Sequence, residues 1–546
     1  MLRRAGNGRR TLPVTLILSA AVVTSSSGIA ARRLARHRPP ELLVVGWDGA
    51  TWSVIEPLLA KGDLPALGSL VRRGASGPLH ATYPLLSPRL WSTIATGMTP
   101  ARHGVLGFES EWADLRAKSF WEILREEGWS VGTFSWLVTW PPEPSFAFCI
   151  PGWLARGPET VPPGMSFLKE LEQTAITGRA VSLPVLLRTA GGAAREGASL
   201  ATLTKTAFAL GEMQMQGGLR RARGSRKDRR SAYLVHRGLE LALDSDLFLS
   251  LLWRTSPRAA GVTVYGTDFL GHKYWKYHEP DSFGVKPAEV AAYGSALSDY
   301  YRAADRELAR WLARTGPETT ILLLSDHGMR ARAYEAAWKV KGDLLLDVLG
   351  LAPWYSHAYA AAGVSMLYLT PREPAPPDSV AERLHRSVAS ATVVGQEQPL
   401  FRIQDQGGGQ WGVWIPLGAE VSLGERVRLG GREVPLVDLL FSSERSGAHS
   451  PEGVFVVAGP DVLPGASPDS AQQEDVAPTL LYLAGLPTSA EMEGRVLTEV
   501  IRPHRLAEDA VRTVASYGAP ERAKSVDRTR GREELTDRLR ALGYVN

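Results

Sequence analysis

The sequence predicts an α/β protein with a three-layer αβα core around a mostly parallel sheet, plus a helical cap insertion and a small β-rich insertion. Short apolar runs bounded by Gly, Asp and Pro recur along the chain, as in strands that are covered on both faces. Helical stretches lie between these runs, and alternating strands and helices form layered cores. The length of 546 residues allows one large domain with insertions or two to four domains.

The composition is that of a globular protein. Apolar residues make up 44% of the chain, charged residues 22%, and 16 residues are Trp, which excludes wholesale disorder and a polytopic membrane protein. The single cysteine, Cys149, excludes intramolecular disulfides and cysteine-based zinc clusters. The first 40 residues hold eight Arg and no acid, so the remainder, with 54 basic and 57 acidic side chains, has a charge of −3. Binding of a nucleic-acid polymer is therefore not indicated.

Five apolar runs are the predicted strands of the core. In chain order they cover residues 41–46, 130–134, 261–265, 320–324 and 453–457. Between the third and fourth predicted strands, Ala, Leu and Tyr recur at helix spacing over residues 288–313, which predicts a helix there. The charged tail is predicted to end in a helix over residues 535–542.

These patterns divide the chain into seven predicted segments. A helical cap insertion over residues 155–245 and a β-rich insertion over residues 352–440 interrupt the core. The catalytic core is then made of three parts, residues 39–154, 246–351 and 441–501. Residues 1–38 are an export signal or N-terminal membrane anchor, and residues 502–546 are a C-terminal helical tail. The basic run over residues 220–230 is interpreted as a solvated loop of the cap rather than a contact for anionic lipid.

The N-terminal leader has the pattern of an export signal. Two Arg pairs, at positions 3–4 and 9–10, precede an uncharged run over residues 11–30 that ends in small residues. The second pair would also suit twin-arginine export. An uncleaved membrane anchor is the alternative, because the run is just long enough to span a bilayer. Both interpretations place the body outside the cytoplasm, in the periplasm, outside the cell, or anchored and facing outward.

Acidic and imidazole side chains stand at the ends of four predicted strands. Asp48 follows the first strand, Asp268 and His272 follow the third, Asp326 and His327 follow the fourth, and His449 stands just before the fifth. Ligands of open α/β sheets bind beyond the carboxyl ends of strands, so most of these groups are expected at one rim. Three Asp and three His supply two mixed oxygen and nitrogen sites, which suit zinc, with manganese or another divalent ion as alternatives.

Ser87 is the candidate nucleophile. It precedes a predicted helix that runs through Thr96, and Pro88 suits the first helical position. The N-terminus of a helix is positive, so it stabilises both an alkoxide and an incoming phosphate. The alternative is that Ser87 only caps the helix.

The motifs taken together resemble the alkaline-phosphatase superfamily and, within it, bacterial phosphohydrolases of the type I phosphodiesterase/nucleotide pyrophosphatase group. The likeness spans roughly residues 41 to 500. In order, its motifs are Asp48, Ser87 with Thr96-Gly97 and Pro100-x-x-His103-Gly104, Asp268-x-x-Gly271-His272, Asp326-His327-Gly328, His449, Asp475-Val476-Ala477-Pro478 and Glu493-Gly494-Arg495. The resemblance implies a phosphoric ester hydrolase with two divalent metal ions.

The resemblance also implies a role for each site residue. By position, Asp268, His272 and His449 would hold one zinc ion, and Asp48, Asp326 and His327 the other. Ser87, where the family usually has Thr, would be an additional metal ligand and would attack phosphorus to give a phospho-serine. Nucleotide pyrophosphatases bind a phosphoryl oxygen with an Asn at the position of Phe108, so Arg89 or a cap residue is expected to bind that oxygen here.

The implied function is an exported phosphodiesterase or phosphomonoesterase that acts on a small phosphorylated substrate. A phosphoryl-group transferase with the same metals and nucleophile stays open, and so does a catalytically silent metal-binding protein. A sulfatase is disfavoured, because Ser87 is followed directly by Pro88 and does not lie in a Cys/Ser-x-Pro-x-Arg context. A membrane tether through the N-terminus is expected if the leader is not cleaved.

Overall fold

The computed structural model describes residues 38–177, 183–206, 229–332, 338–360, 366–416, 422, 424–442, 446–468, 470–522 and 531–542. The predicted leader, except residue 38, lies outside the described residues, and so does the basic run up to residue 228. Within the described ranges, no helix is both long enough and apolar enough to span a membrane.

Strands are spread along most of the described chain. In order they are β1 (Leu42–Trp47), β2 (Ala75–His80), β3 (Val131–Trp136), β4 (Phe148–Pro151), β5 (Ala259–Val264), β6 (Thr320–Leu324), β7 (Gly328–Ala331), β8 (Trp338–Val340), β9 (Tyr355–Ala360), β10 (Met366–Pro371), β11 (Thr392–Val393), β12 (Arg402–Asp405), β13 (Trp411–Trp414), β14 (Arg426–Leu429), β15 (Arg432–Pro435), β16 (Leu440–Ser442), β17 (Gly447–Ser450), β18 (Glu452–Ala458), β19 (Ala471–Gln472), β20 (Thr488–Ser489) and β21 (Thr513–Val514).

The main helices alternate with these strands. In order they are α1 (Trp52–Ala60), α2 (Pro65–Arg73), α3 (Ser87–Thr96), α4 (Pro100–His103), α5 (Phe120–Glu126), α6 (Phe167–Thr177), α7 (Leu183–Glu196), α8 (Arg229–Thr255), α9 (Gly266–His278), α10 (Pro287–Tyr293), α11 (Ala296–Leu312), α12 (Gly342–Leu349), α13 (Asp378–Ala389), α14 (Leu436–Leu439), α15 (Val476–Leu483), α16 (Pro503–Glu508) and α17 (Arg532–Leu542). The helix predicted over residues 288–313 is two helices, because Gly294, a poor helix former, ends α10.

An eight-stranded sheet forms the centre of the α/β fold. Its spatial order is β19-β2-β18-β6-β1-β5-β3-β4. The neighbouring pairs are parallel, except that β18 runs antiparallel to both β2 and β6. The mostly parallel sheet predicted from the sequence is confirmed, although the fifth predicted strand is the antiparallel one. Its direction agrees with that of β17, which lies just before it in the chain and pairs antiparallel with β7, the strand that follows β6.

The central strands are buried on both faces. Every residue of β1, β5 and β6 is buried, and successive side chains point to opposite sides. Leu42 and Val44 join one apolar cluster, which also contains Trp91, whereas Leu43 and Val45 join a second cluster with α11. Two covered faces explain why these strands are continuous apolar runs in the sequence.

The two predicted insertions have different secondary structures. Within residues 155–245, the described elements α6, α7 and most of α8 are helical, and α6 packs against the C-terminal helix α17. Within residues 352–440 lie a four-stranded antiparallel sheet, β12-β13-β10-β9, and a three-stranded sheet, β11-β14-β15, around an apolar cluster of their own. The exact limits of the seven segments stay predictions.

Candidate active site

The candidate ligands lie at one rim of the sheet. Three neighbouring parallel strands and the antiparallel pair of β7 with β17 bring them there. Asp48 directly follows β1, and Asp268 lies in the first turn of α9, which begins just after β5. Asp326 and His327 lie between β6 and β7. His449 precedes β18 rather than following it, but β18 is antiparallel, so its N-terminal end lies beside the carboxyl end of β6. Strand direction therefore explains why one ligand comes before its strand.

The first group of ligands is tightly clustered. The Nε2 atom of His449 lies 3.1 Å from Asp268 Oδ1 and 3.0 Å from His272 Nε2. His272 Nε2 is in turn 3.2 Å from Asp268 Oδ1. The structure thus brings together the three residues that the resemblance assigned to one ion.

The second group adjoins the first through His327. Its Nε2 atom lies 3.6 Å from Asp48 Oδ1, 3.7 Å from Asp326 Oδ2 and 3.9 Å from Asp268 Oδ1. The rings of His327 and His449 stack with centroids 3.6 Å apart. In two sets of three residues, one ligand atom from each residue lies within 4.8 Å of the other two. The sets are Asp48 with Asp326 and His327, and Asp268 with His327 and His449. His327 therefore lies between the two groups.

All three imidazole rings present the same nitrogen to the cluster. A backbone carbonyl can only accept a hydrogen bond, so each Nδ1 that faces one must carry the proton. The three pairs are His272 Nδ1 with Gly447 O at 3.0 Å, His327 Nδ1 with Gly328 O at 3.0 Å, and His449 Nδ1 with Leu85 O at 2.9 Å. Each Nε2 then presents its lone pair to the cluster, which is how metal-binding histidines are held.

The three carboxylates are buried, and among the described residues a histidine is the only possible counter-charge beside Asp48 and Asp326. Asp48 and Asp326 have no Lys or Arg partner among the described residues, and Asp326 Oδ2 has no hydrogen-bond partner there. Burial and the neighbouring carboxylates raise the pKa of Asp48 well above its usual range, and burial raises the pKa of Asp326 to about 6. Buried carboxylates of this kind are normally paired or coordinate metals. The donor set therefore fits divalent cations.

Backbone and side-chain contacts that the sequence did not indicate hold the ligand loops. The amide of Gly49 donates to Asp326 Oδ1 at 3.3 Å, and Thr267 Oγ1 donates to the carbonyl of Asp48 at 2.5 Å. Gly49 has φ +65°, and a Cβ there would lie 3.0 Å from Asp268 Cα, so glycine is required at this approach. Gln473 donates to the Asp326 carbonyl. No pattern in the sequence marks Thr267 or Gln473.

Ser87 opens the helix beside the second group. It is the first residue of α3, Leu86 is the N-cap, and no side chain caps the helix, so Ser87 does not act as its cap. Pro88 is consequently the second helical residue rather than the first. Ser87 Oγ lies 3.5 Å from His327 Nε2. Burial raises the pKa of both Asp48 and Asp326, and the Ser87 hydroxyl partly offsets that rise. The predicted nucleophile and the six predicted ligands therefore meet.

A family model confirms the resemblance suggested by the motifs. The model described as type I phosphodiesterase/nucleotide pyrophosphatase matches residues 42–410, more than half of the chain. The chain belongs to this phosphodiesterase family. It is therefore a phosphoric ester hydrolase of a metal-dependent family, in agreement with its clusters of metal-ligating side chains.

Comparison with individual proteins gives a likeness to a solved structure. No curated protein sequence matches this phosphodiesterase. Among solved structures, murine ectonucleotide pyrophosphatase/phosphodiesterase 5, in an inactive form in complex with AMP, is 13% identical to it. That comparison covers 85% of this chain and 100% of the murine chain, with a TM-score of 0.42.

Phe108 stands at the position where the resemblance noted above has an Asn for substrate binding. Phe108 is buried, and its ring packs against Trp153 with centroids 5.9 Å apart. Trp153 in turn packs against Phe269, which follows the ligand Asp268. The guanidinium of Arg538 in α17 donates hydrogen bonds to the carbonyls of Trp153, at 2.5 Å, and Ala155, at 2.6 Å. These bonds fix the backbone around Trp153. An apolar wall therefore occupies the expected position of the amide.

Arg89 is a buried cation two residues after Ser87. Its guanidinium donates to the carbonyl of Tyr83 at 3.0 Å and to Oε1 of Gln410 at 3.5 Å. It forms no ion pair within the described chain, and its buried Nε has no hydrogen-bond partner there. Burial lowers the pKa of Arg89 to about 10, so it remains a cation at neutral pH. A buried guanidinium without a carboxylate is suited to an anionic ligand.

His103, part of the Pro-x-x-His-Gly motif, supports α3 instead of joining the metal cluster. The amide of Val105 donates to His103 Nδ1 at 3.1 Å, so Nε2 carries the proton and faces Thr93 Oγ1 at 3.1 Å. Burial lowers the pKa of His103 to about 3, which keeps the ring neutral. This histidine fixes the turn after the nucleophile helix.

Proposed function

We propose that this phosphodiesterase uses Ser87 as its nucleophile beside two divalent metal ions, with zinc as the ion that the donor set suits best. The observation that carries the proposal is the position of Ser87 Oγ, 3.5 Å from His327 Nε2 and next to the six ligands. Asp268, His272 and His449 would hold one ion, and Asp48, Asp326 and His327 the other. Bound ions would stabilise the attacking and leaving oxygens of an in-line displacement.

The chain itself supplies the nucleophile and part of the charge stabilisation. Ser87 Oγ forms a bond to phosphorus while the bond to the leaving oxygen breaks, which gives a phospho-serine. Water then displaces Ser87 from phosphorus. The hydroxyl proton of Ser87 goes to the leaving oxygen in the first step, and in the second step water supplies the oxygen that bonds to phosphorus and a proton that restores the Ser87 hydroxyl, so one water is consumed per turnover. Pro88 has no N–H, but the amides of Ser87 and Arg89 in the first turn of α3 would favour the negative charge of phosphoryl oxygens bound at this helix end.

Arg89 supports a phosphorylated substrate on the same helix. Because its guanidinium is buried and forms no ion pair within the described chain, with the charge of Glu474 acting only from a distance, an anionic phosphoryl group would supply a close counter-charge. We propose that Arg89 takes the role that the family's Asn has at the position of Phe108. The substrate is then a small phosphate monoester or diester.

The decisive experiment compares two serines of α3. Zinc-loaded Ser87→Ala should lose more than about 10³-fold of the turnover of nitrophenyl phosphate or bis-nitrophenyl phosphate, because no covalent intermediate can form. Ser92→Ala is the matched control, since Ser92 is equally buried in α3 but its hydroxyl donates to the carbonyl of Pro88 at 2.8 Å. A chelator should abolish activity in the wild type and in the control.

The same preparations test the covalent step. Acid-quenched wild-type enzyme should carry the transferred phosphoryl group on the peptide that contains Ser87, and Ser87→Ala should carry none. Both variants should keep the zinc content of the wild type. Near-native turnover by Ser87→Ala would refute the nucleophile assignment.

We also propose that the protein is exported. Support comes from the Arg pairs and the uncharged run over residues 11–30. In fractionated cells, the mature chain should be found outside the cytoplasm, and N-terminal sequencing should show whether the leader is removed. Recovery of an intact, freely soluble chain from the cytoplasm alone would contradict export.

A further inference from the structure

Trp91 links the nucleophile helix to a predicted metal ligand. It lies four residues after Ser87, so both side chains lie on the same face of α3. Its indole Nε1 donates to Asp48 Oδ2 at 2.9 Å. Trp91 and Asp48 are both buried, so no water competes for this bond. One helix therefore presents the nucleophile and also holds a ligand.

The two oxygens of Asp48 have different partners. Oδ2 is engaged by Trp91, whereas Oδ1 faces the cluster, 3.6 Å from His327 Nε2. A carboxylate held at one oxygen cannot rotate freely about its last bond. The hydrogen bond therefore selects the oxygen that faces the cation site.

The position of the indole is itself fixed by its packing. The ring lies directly on Gly46 of β1, where a Cβ would come within 2.5 Å of Trp91 Cη2. On another side Trp136 packs edge-on, with ring centroids 4.9 Å apart. Only a residue without a side chain at position 46 leaves room for the ring. The indole N–H is thus aimed at Asp48 by rigid neighbours.

We propose that Trp91 is a positioning residue that orients Asp48 for one of the two metal ions; this inference rests on the metal sites of the proposed function. Contacts of this kind, one step beyond the ligands, fix ligand orientation and tune metal affinity. Loss of the N–H frees Asp48 Oδ2 and lets the carboxylate turn. The affinity of the ion held by Asp48, Asp326 and His327 then falls, while the other ion is affected less.

Trp121 provides a matched control within the same aromatic cluster. Its ring covers Gly261 of β5, where a Cβ would lie 2.7 Å from Trp121 Cζ2, and it also packs against Trp136. It is as buried as Trp91, but its Nε1 has no hydrogen-bond partner within the described residues. Replacing either tryptophan by Phe makes the same cavity, and only the change at Trp91 removes a bond to a ligand.

The test is calorimetric titration of zinc into chelator-treated protein, a readout that does not depend on hydrolysis. Trp91→Phe should weaken one of two zinc-binding steps by about 10- to 100-fold, whereas Trp121→Phe should bind both ions like the wild type. Replacement of Trp91 by benzothienylalanine, which keeps the bicyclic ring and has a sulfur that cannot donate in place of the N–H, should reproduce the loss without a cavity. This second variant keeps the test decisive if Trp91→Phe does not fold.

The outcomes separate the inference from the proposed function. If the wild type binds two zinc ions and both Trp91 variants bind them equally well, the positioning role is wrong and the proposed function stands. If Trp91→Phe and Trp121→Phe lose zinc affinity equally and the benzothienylalanine variant loses none, packing alone matters. That result would also overturn the positioning role of Trp91. If the wild type binds no zinc or other divalent ion, both proposals fail.

Discussion

The proposed metal-binding side and the proposed substrate-facing side of this site are built differently. On the metal-binding side, Asp48 and Asp326 follow two neighbouring strands of one sheet within two residues of their ends. On the substrate-facing side, the guanidinium of Arg89 meets Gln410, which is 321 residues further along the chain. Gln410 itself is held by Thr370 at 2.8 Å, within the predicted β-rich insertion. The first side depends on strand order, and the second on how an insertion packs against the core.

This difference implies that the two sides can be damaged separately. Changes at the sheet rim should remove metal and activity together. Changes around Arg89 should reduce substrate recognition and leave the metal in place. A substitution at a residue that contacts neither the candidate ligands nor Arg89 should lower the free energy of unfolding and leave metal content and activity unchanged.

The largest effect is expected for Asp326→Asn. Its Oδ2 atom is 3.7 Å from His327 Nε2 and has no hydrogen-bond partner among the described residues, so the charge at this oxygen is expected to serve the cation site. The variant should lose one zinc equivalent by elemental analysis and more than about 10³-fold in kcat/KM. Asp305→Asn is the control, because Asp305 is equally buried but accepts from the amides of Ala66 and Leu67. Full zinc content in Asp326→Asn would contradict its role as a ligand.

An intermediate effect is expected for Arg89→Met. Removal of one charged donor to a phosphoryl oxygen should lower kcat/KM about 10²-fold, with the zinc content unchanged. Gln410→Leu should lower kcat/KM less, because it removes only the hydrogen bond from the Arg89 guanidinium to Gln410 Oε1. The exposed arginine Arg386, changed to Met, serves as the control for loss of a positive charge. If Arg89→Met is fully active, the phosphoryl oxygen must have another partner.

The smallest effect on activity is expected for His103→Gln. The ring joins the Val105 amide to Thr93 Oγ1, so its replacement should lower the free energy of unfolding by about 1–3 kcal/mol. The metal content should stay at the wild-type level, and kcat should remain within about twofold. Denaturant unfolding and zinc analysis of the same preparation check both expectations. Loss of zinc would show that this motif residue reaches the metal side after all.

The same difference decides what the sequence could predict. Strands buried on both faces appear in the sequence as apolar runs, and candidate ligands directly after them appear as Asp-Gly or Asp-His-Gly motifs. The α/β fold and the six candidate ligands could therefore be predicted from the sequence. The antiparallel direction of β18 could not be predicted, because it depends on the pairing of β17 with β7, which are far apart in the chain. Trp91, Thr267 and Gln410 have no local signature, since each acts through a partner distant in the chain.

The arrangement of ligands around the sheet rim also concerns the integrity of the fold. Bound cations would cross-link four parts of the chain: β1, the start of α9, the segment after β6, and β17. Without cations, these parts are joined only by the sheet and by buried packing. Such a cross-link favours the native chain over the unfolded one by the binding free energy of the ions. Storage in a chelating buffer should therefore loosen the middle of the sheet, and lower the melting temperature, as well as stop turnover.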